Sequence, residues 1–194
     1  PAAPAKPAAQ AMQESLKKLN LPVDLTLKAA LKNVTMQGVT YGALDIDGSL
    51  KGGMLDLKAA SLTDPQGNVM RVSGTVKDLP GLGGVDVTLG GKTGDGAAFL
   101  SSFKVDTKKL PKDFGPLDLS VSLTGEKPDA LAFNANAKAL GGEGQANGML
   151  LNALAAKPAV DKLSLHVTHP NFEQLAQKFN PAYKAGVGIR KDMD

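Results

Sequence analysis

The chain reads as mainly β: a curved antiparallel sheet of groove-like repeats, accompanied by short amphipathic helices. Three observations predict this. First, apolar and polar residues alternate with a two-residue period. Val23, Leu25, Leu27, Ala29 and Leu31 are interleaved with Asp24, Thr26, Lys28, Ala30 and Lys32. The beat returns at Leu44 and Ile46, at Leu55 and Leu57, and at Leu117, Leu119, Val121 and Leu123, with Asp, Lys, Ser or Thr between. Successive side chains of a strand point to opposite sides, so each run makes one apolar and one wetted side. Second, the breaks between runs hold turn formers. Third, six Phe, two Tyr and no Trp leave an apolar supply of Leu, Val and Ala. That supply suits a smooth aliphatic surface better than a core keyed by aromatic rings.

Taken in order, residues 1–10 are a Pro/Ala linker. Met12, Leu16 and Leu19 then fall at helical spacing, and Asn20 with Pro22 ends that helix. Strands are expected over 22–32, 41–50, 53–62, 68–77 and 85–90. Their breaks are Gly52 with Gly53, the Asp64 to Asn68 segment, and the Leu79 to Gly84 segment. Asp95 can cap a short helix whose Phe99, Leu100 and Phe103 share a face. Residues 108–116, rich in Lys and Pro, read as a linker. Strands resume over 117–124, 130–139, 143–151 and 160–168. A last helix, capped by Asn171, presents Phe172, Leu175, Ala176 and Phe179 on one face and stops at Asn180 and Pro181.

The two halves resemble copies of one unit. PVDLTL at 22–27 parallels PLDLSV at 116–121, GALDI at 42–46 parallels DALAF at 129–133, and VDVTL at 85–89 parallels LSLHV at 163–167. The expected organisation is a linker (1–10), a first helix and β-meander unit (11–104), a linker (105–116), a second meander with its terminal helix (117–183) and a tail (184–194). Such units cover one another in extended arrays. The chain is expected to be a piece of a longer protein.

Composition excludes several functions. Net charge is +3, with Lys and Asp interleaved along strands. No basic stripe with stacking aromatics speaks for nucleic acid. Without cysteine there is no thiol nucleophile, thiolate metal site or disulfide. No stretch approaches the length of an apolar membrane helix.

Motifs for chemistry fail on spacing. Gly90, Gly91, Lys92 and Thr93 resemble the tail of a phosphate loop, but Asp86 stands where its first glycine belongs, and the segment reads as a turn. Asp45, Asp47 and Gly48 open like a calcium loop that lacks its later ligands, so they read as solvated carboxylates. His166 and His169 have no third ligand and no triad partner. No catalytic set emerges, no cofactor or metal is expected, and the chain reads as a non-enzyme.

What remains is the apolar side itself. Two such sheets can seal face to face in a sandwich. Alternatively the sheet curls, and its apolar concavity takes acyl chains. Gly38, Gly48, Gly74, Gly125, Gly144 and Gly148, in or beside strands, permit the bending that a curled sheet needs. The groove-lining candidates are Val23, Leu25, Leu27, Leu44, Ile46, Leu55, Leu57, Leu117, Leu119, Val121, Phe133 and Leu165.

An ordered series of segments resembles the AsmA-like family of bacterial envelope proteins. It comprises LNLPVDLTLKA (19–29), VTMQGVTYGALDI (34–46), KGGMLDL (51–57), SLTGEKPDALAF (122–133), GGEG (141–144), LSLHV (163–167) and FEQL (172–175). The resemblance spans residues 15–183. The family's N-terminal membrane helix has no counterpart here. The resemblance implies a taco-shaped sheet in a periplasmic protein anchored in the inner membrane of a Gram-negative bacterium by parts absent from this chain. It also implies a partner, phospholipid or another acyl-chain lipid, conducted toward the outer membrane. The competing expectation is a non-catalytic structural or outer-membrane assembly module with a closed aliphatic core.

Overall fold

Two-residue hairpins and short turns fold the alternating runs onto one another in sequence order. A computed structural model describes residues 24–36, 39–102, 105–111, 113–155 and 157–184. The first five strands are β1 (Leu25–Met36), β2 (Val39–Lys51), β3 (Met54–Thr63), β4 (Val69–Asp78) and β5 (Gly83–Thr93). A helix, α1 (Gly96–Ser102), separates them from β6 (Leu117–Lys127), β7 (Ala130–Ala139), β8 (Gly142–Leu151) and β9 (Ala159–Thr168), and α2 (Phe172–Phe179) follows. The nine strands form one open, curled antiparallel sheet in the order β1 to β9. β5 pairs directly with β6, so the two expected units share a single sheet. The expected helix over Met12, Leu16 and Leu19 lies outside the described residues, as do Val23, Gly38 and Phe103.

Turn chemistry sets the registers. Gly52 and Gly53, at φ 54° and 82°, are the two-residue loop between β2 and β3. Both central residues of the favoured hairpin turn need positive φ, which glycine adopts without penalty. Between β3 and β4, the Asp64 carboxylate accepts from the amides of Gln66 and Asn68, each at 2.9 Å, and from the Asn68 side chain at 2.6 Å. That makes the side chain a surrogate for the turn's own hydrogen bonds.

One expectation is corrected. Gly90 to Thr93 is not a turn but the end of β5, paired with β4 on one side and β6 on the other. Glycine there reflects close approach. A Cβ on Gly91 would stand 2.5 Å from Cζ of Phe99, so the missing side chain leaves room for that ring. The helix begins three residues later, where Asp95 Oδ1 accepts from the Ala98 amide at 2.9 Å as an N-cap.

The fold has little enclosed core. Among the described residues, Val76, Phe114, Leu117 and Leu131 are the buried hydrophobics, and no large side chain is fully buried. Among the described residues all nine strands belong to one open sheet, so no second sheet faces it there and the sandwich arrangement is not formed. Stability therefore rests on cross-strand pairs and ladder hydrogen bonds more than on a closed interior.

α2 sits beyond β9 and is tied down by its ends. The Asn171 side chain accepts from the Gln174 amide at 2.9 Å. The His169 ring joins Leu140 O at 3.0 Å and accepts from the Asn171 amide at Nδ1. Phe172 meets Tyr183 edge-on with centroids 6.5 Å apart. Lys178 donates to the Asp113 carboxylate, fastening α2 to the segment before β6. That hydrogen bond, backed by one from the Asp113 backbone, holds the Asp113 carboxyl below its ordinary value of 3.8. A carboxyl depressed on folding stabilises above its unfolded pKa, and the contribution is lost as pH falls through the folded one. We predict that α2 amides lose hydrogen-exchange protection as pH drops below 3.8, and that Asp113→Asn removes this pH dependence. The effect is small because the Asp113 carboxylate is largely exposed. Unchanged protection across that range in the wild-type chain would exclude a role for the pair.

Candidate functional site

Register decides what the alternation produces. Residues opposite each other across a ladder point to the same side. Leu25, Leu27, Ala29 and Leu31 of β1 face Leu50, Gly48, Ile46 and Leu44 of β2. Those in turn face Leu55, Leu57, Ala60 and Leu62 of β3, and then Val76, Gly74, Val72 and Met70 of β4. The row continues through Val85, Val87, Leu89 and Gly91 of β5 to Leu119, Val121 and Leu123 of β6. It then passes to Phe133, Ala135 and Ala137 of β7, to Gly148, Ala146 and Gly144 of β8, and to Leu165 and Val167 of β9. No Asp, Glu, Lys or Arg takes a paired position on this side between the strand ends. Eight inter-strand gaps of about 4.8 Å give an uncharged strip roughly 38 Å across the strands.

The other side carries the charges. Lys28 lies 3.4 Å from Asp47, and Lys138 pairs with Glu143 at 2.7 Å across the β7–β8 ladder. Glu143 raises the Lys138 pKa through that hydrogen bond and its charge. Asp45, with Ser61 as hydrogen-bond donor at 3.4 Å, is solvated strand surface in β2, not a calcium loop. His166 falls on this side opposite Gln145, while His169 serves the turn described above. Among the described residues no group of three His, Asp or Glu side chains could hold a metal.

The strip is part sheltered and part open. In β7, every residue of the apolar side is buried or half-buried and every one on the polar side is exposed. No second sheet lies over the strip among the described residues, so the shelter comes from the curled sheet itself. Breaks in register at Gly48, before Ala60, after Thr124 and after Asn147 bend the strands further. At the edges the apolar side is bare: Leu25 is 52 % exposed and Leu165 67 %. An apolar patch of this extent, open among the described residues, is uncommon on a soluble monomer.

The two long rims differ. The rim formed by the turns after β2, β4, β6 and β8 carries no helix among the described residues. The opposite rim carries α1, α2 and the segment before β6. There α1 leans over the strip, with Phe99 on Gly91. Its start is anchored by the Gly96 amide on Gly115 O at 2.7 Å, and Thr93 Oγ1 donates to Asn68 Oδ1 at 2.6 Å. A Cβ on Gly96 would stand 2.6 Å from the Phe114 ring and 2.8 Å from Leu117 Cβ, so these groups close the rim above. Beneath α1 lies a half-open cavity of about 290 Å³ lined by Met70, Val72, Leu89, Phe99, Leu100 and Val121, among others.

The sequence-derived lining residues Leu25, Leu27, Leu44, Ile46, Leu55, Leu57, Leu117, Leu119, Val121, Phe133 and Leu165 all fall on the one apolar side. Reasoning from sequence missed Met70, Val72, Val85, Val87 and Leu89 of the two central strands, and the α1 cover. The signal for them was present. Met70, Val72 and Val76 alternate around Gly74, and Val85, Val87 and Leu89 alternate toward Gly91. No described helix is long and apolar enough to cross a membrane. No family model matches the chain, and neither a curated protein nor a solved structure matches it.

Proposed function

We propose that the apolar strip binds acyl chains of phospholipid, and that the chain serves lipid transfer in a bacterial envelope, as its AsmA-like resemblance implies. One observation carries the reading: an uncharged apolar side that runs through nine registered strands with no covering sheet among the described residues. Burying hydrocarbon there returns roughly 0.8 kcal/mol per methylene, before the costs of immobilising the lipid. Head groups stay in water at the open rim, so the strip needs no polar partner for them. The role is non-catalytic: a path of low resistance for the chains replaces any reaction. In this reading the protein works in the periplasm, held to the inner membrane by parts outside this chain.

The reading predicts that native mass spectrometry after gentle extraction finds phospholipid bound to the purified chain. Protein that is consistently lipid-free, and that also leaves a fluorescent fatty acid unbound, would refute it. A second reading draws on a different observation. β9 ends the described sheet, and nine of its ten residues are exposed. An unpaired edge can take another strand, which would suit an assembly module binding protein by strand addition. Retention of a protein partner by lipid-free chain would favour that alternative.

A further inference from the structure

The space under α1 differs from the rest of the strip in being roofed, and that difference bears on how a lipid lies. We propose that it is the seat for the methyl end of a single acyl chain, with α1 as the stop. This rests on the acyl-chain reading above and adds an orientation to it. Three observations support the assignment.

The first is the lining. Met70, Val72, Leu89, Phe99, Leu100 and Val121 supply apolar side chains, while Arg71 and Gly90, also at its wall, belong to the polar side of their strands. With the surface turned toward it almost wholly apolar, the space favours hydrocarbon over a head group, whose hydrogen-bonding groups would find little to replace the water they lose. The second is size. A methylene occupies about the volume of a water in the liquid, near 30 Å³, so a space of about 290 Å³ takes roughly ten methylenes. That is on the scale of the distal part of one chain.

The third is closure and continuity. Above the cavity, the Thr93–Leu117 pair is covered by Gly96 and the buried Phe114, and α1 is pinned by its Asp95 cap. Below it, Leu89 and Val121 continue in ladder register into Val87 and Leu123. A chain can therefore enter from the open strip and end at the plug. The carboxyl end then lies toward the opposite rim, which carries no helix among the described residues.

Two photoreactive palmitates test this on the intact chain, one with a diazirine at the methyl end and one with it beside the carboxylate. The methyl-end probe should label peptides containing Phe99 or Leu100 and their facing segments of β4, β5 and β6, and the carboxyl-end probe should label elsewhere. Leu100→Trp, a change on the helix that leaves the sheet intact, should move the methyl-end label away from this site. Equal labelling of the site by both probes, methyl-end label confined to other parts of the strip, or indifference to Leu100→Trp would overturn the seat while leaving acyl-chain binding standing. Absence of specific labelling by either probe would remove both proposals together.

Discussion

Gly74→Ala is expected to destabilise the protein by about 3 kcal/mol or more, a large share of the 5–15 kcal/mol that holds a typical domain folded. Gly74 lies in the middle of β4 at φ 129°, a backbone conformation that side-chain-bearing residues rarely adopt. A Cβ there would overlap the Asp86 carbonyl oxygen of β5 and stand 2.7 Å from Val87 Cα. Both obstacles are backbone in a paired strand, so neither can swing aside as a side-chain tip could. Backbone strain contributes about 1–3 kcal/mol and the forced displacement a similar amount. Two other glycines calibrate the result. Gly67, at φ 82° with nothing within 4 Å of its virtual Cβ, carries only the conformational penalty, near 1 kcal/mol on replacement by Ala. Gly144 has open space and ordinary φ, so Gly144→Ala should be neutral or slightly stabilising through the unfolded chain. Urea midpoints for the three variants check the order. If Gly74→Ala unfolds no earlier than Gly67→Ala, the close approach of β4 and β5 is not a constraint on this fold.

Gly74 also shows where the sequence stops being readable. All nine strands are legible from period-two alternation, because a half-wet sheet stamps that pattern on each strand separately. Their boundaries shift by up to three residues, except that β1 extends four residues past the expected Lys32, to Met36; β5 continues three residues past Gly90, to Thr93. There a glycine in an alternating run imitates a turn. In β4 and β5 it is the reverse, a place where another backbone or a ring comes close, and only three-dimensional neighbours such as Asp86 and Phe99 reveal that. The helices at Asp95 and Asn171 were legible from cap chemistry. That Phe99 turns onto the strip was not, since a short amphipathic face does not say which surface it meets. Nor does any single strand disclose that its apolar residues fall in line with those of eight others. That alignment comes from turns that add no slip, such as the Gly52–Gly53 loop, and from bulges that correct the count. The described residues of the candidate lining fall on one side of the sheet, yet the list passes over β4 and β5, whose glycines break the beat.

Leu119→Glu should abolish lipid loading while leaving the sheet assembled. Leu119 sits at the centre of the strip between Gly91 of β5 and Ala137 of β7 and is half-buried, beside the cavity under α1. The half-open cavity that Leu119 lines and the small Ala137 beside it leave space, so the longer glutamate side chain can be accommodated. The fold loses part of the roughly 1.5–3 kcal/mol that full burial of a leucine contributes, and the partial exposure of the site keeps the loss toward the lower end. A bound acyl chain suffers more. Hydrocarbon laid over the carboxylate strips its water and supplies no partner, at a cost of several kcal/mol. Against a gross gain of about 8 kcal/mol for ten buried methylenes, from which immobilisation must still be subtracted, that cost is enough to empty the strip. Ser120→Glu is the matched control, because the next residue projects to the polar side between Gly90 and Asn136 and adds the same charge without touching the strip. Circular dichroism should show β structure in both variants, and native mass spectrometry should find lipid on Ser120→Glu and none on Leu119→Glu. Equal lipid on the two would mean that the chains travel somewhere other than this side of the sheet, because the two variants share a charge, a strand and a fold and differ only in which side the charge occupies.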